Sequence, residues 1–180
     1  MVEDRIGYRY ARSVYELAQE QGTLAQVYED MGLLDQTFKA SREFTNSMRS
    51  PIIPLEKKAA VAKALFGSQF RAPLSLRFVE LVIQKNRAPY LKDAAEAFLG
   101  IYDQAHNIAR GSLTSAAPFS PELRDALLRK LEGQSGKTYQ LEEKVNPDLL
   151  GGFVLEVGDL RFDGSVAYAL RKVKQNLSRR

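Results

Sequence analysis

Phe98-Leu99-Gly100-Ile101-Tyr102-Asp103-Gln104-Ala105-His106-Asn107-Ile108-Ala109-Arg110-Gly111-Ser112-Leu113-Thr114-Ser115-Ala116 decides the fold, because the side-chain period changes inside it. Up to His106 the pattern is helical: Leu91, Ala95, Phe98, Tyr102 and Ala105 recur at intervals of four, three, four and three. From Ile108 to Ala116 the chain is rich in small residues and carries Leu113 and Thr114, the composition of a strand. The sequence therefore predicts an all-α N-terminal domain over 1–106 and a small α+β domain over 107–180, hinged near His106–Arg110.

Upstream of this boundary the chain reads as helix after helix. Helix one, from about Arg5 to Gln21, has two apolar stripes: Ile6, Tyr10, Val14 and Leu17 on one, and Ala11, Tyr15 and Ala18 on the other. Gly22 ends it. Helix two, about Thr23 to Ala40, carries Leu24, Val27, Met31, Leu34 and Phe38 on one seam. A short helix covers Arg42–Met48 and breaks at Ser50-Pro51. Pro54 starts a fourth with Leu55, Ala59, Ala62 and Phe66, and Pro73 starts a fifth that runs to about Lys85. The fifth carries Leu74, Leu76, Phe78, Val79, Leu81, Val82 and Ile83, so it is apolar nearly all round and must be covered on more than one side. With helix six after Asn86-Arg87-Ala88-Pro89, short connections predict one antiparallel six-helix bundle.

Downstream, Ser120-Pro121-Glu122 is a helix start of cap, proline and first-turn acid, followed by Leu123, Leu127 and Leu131 until Gly133 and Gly136. Tyr139, Leu141 and Val145 alternate as in a strand, and so do Phe153, Leu155 and Val157. Gly158-Asp159 signals a tight hairpin to Leu160-Arg161-Phe162. Asp163-Gly164-Ser165 caps a last helix with Val166, Leu170, Val173 and Leu177 on one face.

Composition excludes several kinds of chemistry. There is no cysteine, and His106 is the single histidine, so thiolate catalysis, Cys-ligated metal centres and multi-histidine metal sites fall away. No phosphate-loop or dinucleotide glycine pattern is present. Asp159 and Asp163 read as turn and cap residues, and Glu142-Glu143 on a strand point to opposite faces. His106, at a helix end, reads as a surface or capping residue. No apolar run approaches the roughly 20 residues that span a bilayer, and the opening Met1-Val2-Glu3-Asp4-Arg5 reads as neither signal nor transit peptide. The expectation is a cytosol-facing, non-enzymatic protein with no catalytic residues, no metal and no cofactor.

The net charge is +4, with 14 basic and 13 acidic residues in 1–106 and 12 and 9 in 107–180. The basic excess keeps a nucleic-acid-binding helical module as an alternative, against which stands the absence of a clustered basic–aromatic face. What remains is interaction surface. Two stripes on helix one and an all-apolar helix five form either a groove for a partner helix or the middle of the bundle. On the groove reading, Val79→Asp is expected to weaken partner binding while leaving the bundle folded; unfolding instead marks the central helix.

Near the C-terminus stands Asn146-Pro147-Asp148-Leu149-Leu150-Gly151-Gly152-Phe153-Val154-Leu155, then Gly158-Asp159, then Phe162-Asp163-Gly164-Ser165-Val166. With Arg9-Tyr10-Ala11, Leu17-Ala18, Lys85-Asn86-Arg87 and Thr114-Ser115-Ala116 in order, the chain resembles the ATP synthase delta family, whose mitochondrial counterpart is the oligomycin-sensitivity-conferring protein. Gly151, Gly152, Asp163, Gly164 and Ser165 are the structural motif that carries the likeness. The resemblance implies a non-catalytic stator subunit, one copy per complex, peripheral on the cytoplasmic face of the plasma membrane with no direct insertion and no nucleic acid. It implies that residues 1–106 bind the α/β catalytic head through an α-subunit N-terminal helix, held between helices one and five. On that implication the contact residues are Tyr10, Ala11, Val14, Tyr15, Phe78, Val79, Val82 and Ile83. Residues 107–180 would hold the C-termini of the b subunits, with Val166, Leu170, Val173 and Leu177 either as the docking seam or buried on the domain's own hairpin.

Overall fold

A computed structural model describes residues 2–158 and 160–177. The chain divides into two compact units, residues 1–102 and 103–180. The first is helical: α1 Val2–Glu20, α2 Leu24–Ala40, α3 Arg42–Arg49, α4 Leu55–Phe66, α5 Pro73–Gln84, a 3-10 turn at Ala88–Tyr90, and α6, Leu91–Ala105, which ends just past the division. The second holds a four-stranded sheet, β1 Ile108–Ser115, β2 Thr138–Val145, β3 Phe153–Val157 and β4 Leu160–Asp163, with α7 Pro121–Ser135 and α8 Val166–Leu177. The α-then-α+β order is thus the one the change of period predicts.

Local chemistry sets most boundaries. Gly22 takes a left-handed φ of 67° after α1, and Gly136 does the same after α7. Ser41 Oγ accepts from Phe44 N at 3.1 Å to start α3, and Ser120 Oγ accepts from Leu123 N at 3.3 Å to start α7. Gly133 does not stop α7, since glycine inside a helix is a cost rather than a break. Gly7 lies where a Cβ would come within 2.9 Å of Asp93 Cβ, so α1 can approach the start of α6 only without a side chain there.

The N-terminal core is one cluster. Val27, Met31, Leu34 and Phe38 of α2 form its seam, as their spacing predicts, and meet Met48, Phe66, Val79, Val82, Ile83, Leu91 and Phe98. Phe44 joins Phe38 at 4.8 Å and Phe66 at 5.8 Å between ring centroids. A buried carboxylate organises the start of α5 in this unit. Asp30, on α2, accepts from Arg71 N at 2.8 Å, Ala72 N at 2.9 Å and Ser75 Oγ at 2.6 Å. Ala72 itself is the residue before α5 and has no side-chain oxygen, so a carboxylate from another helix caps α5. Arg71 also pairs with Glu29, beside Asp30.

In the second unit the strand order is β2-β1-β3-β4. β1 and β2 run parallel with α7 as the crossover, while β1–β3 and β3–β4 are antiparallel. Val157 pairs with Leu160, which leaves the two-residue hairpin loop that Gly158-Asp159 signals; Asp159 itself lies outside the described residues. Arg110 Nη2 donates to Asp103 at 3.2 Å, tying the last turn of α6 to β1. The core is small: Leu113, Val154 and Leu155 are its buried hydrophobics among the described residues.

Replacing Asp30 by alanine strands two backbone N–H groups and a buried hydroxyl. Asp30→Ala is expected to lower the stability of the N-terminal unit by about 3 kcal/mol, measured by urea unfolding, with Asp30→Asn costing less because one acceptor oxygen survives.

Candidate functional site

Two rows of side chains with the same spacing line a groove between α1 and α5. Tyr10, Val14 and Leu17 form one row, and Leu74, Phe78 and Leu81 form the other, each stepping four and then three residues. The groove holds about 720 Å³. Its floor is Val14 and Phe78, both buried, and Tyr10 stands 6.5 Å from Phe78 between ring centroids. Leu17 is 39% exposed and Leu81 48% exposed on its walls. Ser13, Gln21, Thr23 and Arg77 add the polar rim, and Thr23 Oγ1 is buried with no hydrogen-bond partner among the described residues.

The eight residues expected to meet a partner on helices one and five separate in space. Tyr10, Val14 and Phe78 line the groove. Ala11, Val79, Val82 and Ile83 are buried in the core and are not among its lining residues. Tyr15 packs on Phe98, 5.9 Å away between ring centroids, as part of the core's half-buried shell. The two stripes of helix one therefore do different jobs: Ala11 and Ala18 face the core, while Tyr10 and Leu17 are open to the groove. Leu17, Leu74 and Leu81 belong to the groove although they were not among the expected contact residues. The readable signal was the matching four-three rows, with Ser13 and Arg77 marking the polar edge of each.

The C-terminal motif is a packing device. Gly152 has a φ of 72°, and a Cβ on it would come within 2.2 Å of Gly164 O. The two glycine-bearing stretches thus lie against each other with no room for a side chain between them. Val166 N donates to Gly151 O at 3.0 Å, and Gly164 N donates to Phe153 O at 2.9 Å. Ser165 caps α8, its Oγ accepting from Tyr168 N at 3.1 Å. Asp163 Oδ1 in turn accepts from Ser165 Oγ at 2.6 Å and from Ser165 N at 3.0 Å. The hydroxyl hydrogen bond, with the backbone one second, holds the Asp163 carboxyl below the usual aspartate range.

On α8, Val166 and Leu170 are about half exposed rather than buried against their own hairpin, and the side chains of Val173 and Leu177 lie outside the described residues. Leu160, Phe162 and Tyr168 are exposed as well. Arg161, Arg171 and Lys172 line a shallow hollow beside them with Asp163. His106 is exposed, at a turn. Among the described residues no group of three or more His, Asp or Glu is placed to hold a metal ion. No helix among them is long and apolar enough to cross a membrane.

Comparison with known proteins gives this geometry a setting. The family model described as ATP synthase delta (OSCP) subunit matches residues 6–177. The ATP synthase subunit delta of Symbiobacterium thermophilum is 35% identical, over 98% of this chain and 95% of its own. The protein of the same description from Phocaeicola vulgatus is 32% identical, over 94% and 92%. A chain in the structure of the Toxoplasma gondii mitochondrial ATP synthase hexamer has the same fold, with a TM-score of 0.67 over 95% of this chain and 96% of that one at 24% identity.

Two outcomes follow for the motif. Gly152→Ala is expected to unfold the second unit or to disorder α8, read as lost amide protection over 153–169, because neither φ nor the Gly164 contact admits a Cβ. Asp163, with its pKa lowered on folding, contributes stability above the unfolded value of about 3.9 and loses it as pH falls through the folded value. Amide exchange at Tyr168 and Ala169 is therefore expected to quicken specifically below about pH 4, and Asp163→Asn is expected to flatten that dependence.

Proposed function

The chain belongs to the ATP synthase delta (OSCP) family, the non-catalytic stator subunit of F-type ATP synthase, and from that premise we propose how its two units divide the work. The N-terminal unit, as a six-helix bundle, takes the N-terminal helix of an ATP synthase α subunit in the α1–α5 groove. The second unit takes the C-terminal ends of the membrane-anchored b subunits, with α8 and its basic flank as the contact. The protein then sits at the cytoplasmic face of the membrane by its partners alone, one copy per complex, and keeps the head from turning with the rotor.

The single observation that carries the first contact is the groove itself, which leaves Leu17 and Leu81 open beside an apolar floor. A helix that presents apolar residues at intervals of four and three matches both rows at once. The second contact is supported by the exposed apolar residues of β4 and α8 beside Arg161, Arg171 and Lys172. A stalk attachment that resists sustained torque needs slow dissociation and so nanomolar-class affinity, about −12 kcal/mol. Family membership leaves the nucleic-acid alternative without support.

Titration with a synthetic α-subunit N-terminal peptide tests the groove. Leu17→Asp and Leu81→Asp are each expected to weaken binding by about 30-fold, roughly 2 kcal/mol, with an unchanged circular dichroism spectrum. Val79→Asp reads something else: it buries an unpaired charge at a fully buried position and is expected to unfold the N-terminal unit. Wild-type affinity with Leu17 and Leu81 both charged would place the peptide elsewhere.

A further inference from the structure

Away from the groove, the N-terminal unit holds a second cavity, of about 560 Å³, where the α3–α4 connection meets the 3-10 turn before α6. Its charge is one-sided. Arg49, Lys58, Arg87 and Lys92 line it against a single acid, Asp93. Lys92 has Glu96 at 3.8 Å. Arg49 and Arg87 make no ion pair among the described residues, and the Arg87 guanidinium lies 5.9 Å from the centroid of the Tyr90 ring.

Lys58 is the most constrained of the four. It is 3% exposed, and its Nζ donates to Met48 O at 2.8 Å and Ser50 O at 2.7 Å. An ammonium carries three donors, so one remains. Burial holds its pKa below the ordinary lysine value. Capping the last carbonyls of α3 accounts for Lys58 alone. It does not account for two unpaired guanidiniums lining the same cavity. Like charges lining one cavity repel, and an anion bound among them offsets that repulsion.

The anion's chemistry follows from the donors. A carboxylate offers one charge and two oxygens. A phosphate group offers about −1.5 to −2 and three strong acceptor oxygens, which suits two planar forks and a buried ammonium. The cavity also has a non-polar side, with Phe38, Pro89 and Tyr90 among its lining. Its volume falls within the roughly 300–1,000 Å³ of small-molecule sites.

We propose that this cavity binds a phosphate-bearing small molecule, with Arg49 and Arg87 on the phosphoryl oxygens and Lys58 as the buried donor. Two sources share that chemistry: free phosphate or pyrophosphate, and a nucleotide whose base rests on Tyr90. None of the residues lining this cavity lines the α1–α5 groove.

Calorimetric titration of the full chain in low-chloride buffer tests it, with pyrophosphate, ATP and a tetraglutamate peptide as probes. Saturable binding of pyrophosphate or ATP below about 1 mM is expected, weakened about tenfold or more in the Arg49→Gln/Arg87→Gln double variant. Both arginines are exposed, so the variant keeps its fold, which circular dichroism checks. ATP binding more tightly than pyrophosphate, with shifted Tyr90 ring resonances, assigns a nucleotide; equal affinity assigns the phosphate group alone. No saturable binding of either phosphate probe up to about 10 mM overturns the proposal. So does equal affinity in the double variant, or binding of the glutamate peptide alone, which would assign the cavity to an acidic protein segment.

Discussion

The N-terminal unit depends on where α5 begins, and one carboxylate fixes that point. Asp30 reaches from α2 to the two backbone N–H groups and the serine hydroxyl that open α5. A helix capped by its own neighbouring residue is fixed only along the chain. A helix capped from another helix is also fixed in space. With its start pinned, α5 turns Val79, Val82 and Ile83 into the core and leaves Leu74, Phe78 and Leu81 on the groove. A rotation of α5 by one residue, about 100°, that carried Phe78 and Leu81 toward the core would put Arg77 and Glu80 in their places on the groove. The Asp30 carboxylate thus shapes the groove through the geometry of a helix that it does not belong to.

The second unit reaches definition by a different route. Its buried hydrophobic set is small, and α7 covers the sheet with half-buried rather than fully buried residues. In place of a large core it has a backbone junction. Gly152 and Gly164 come so close that the two stretches lock through main-chain contacts, and the Asp163–Ser165 pair then starts α8. Main-chain locking suits a surface that leaves Val166, Leu170 and Phe162 exposed, because the fold need not bury them to hold its shape.

Much of this was legible in the chain itself. The change of period after His106, the proline and serine starts of α5 and α7, the glycine ends of α1 and α7, and the two-residue hairpin loop all rest on chemistry within a few residues. The glycine and aspartate motif that carries the family resemblance also marks a real junction. What could not be read is what depends on distant residues. Asp30 and Ser75 are 45 positions apart, and nothing in α2 marks Asp30, rather than the also buried Asp35, as the cap of another helix. Lys58 is one of three lysines on α4, and nothing in its sequence neighbours marks it as the buried one. Parallel pairing of β1 with β2 is likewise set by the crossover rather than by either strand. For helix five, apolarity all round hid the division of labour: the composition was the same on the core side and on the groove side, so only the packing distinguishes Val79 from Leu81.

A pinned α5 and the outer stripe of α1 together make the surface proposed to receive the head. Backbone amide shifts of the full chain, recorded while a synthetic α-subunit N-terminal helix is added, test it most directly. The account predicts that the largest changes cluster at Leu17, Thr23, Leu74 and Leu81, with the buried face of α5 following weakly and the exposed Val61 and Leu65 of α4 unmoved. Changes centred on α4 or on the second unit, with the α1 and α5 rows unaffected at saturation, would contradict it.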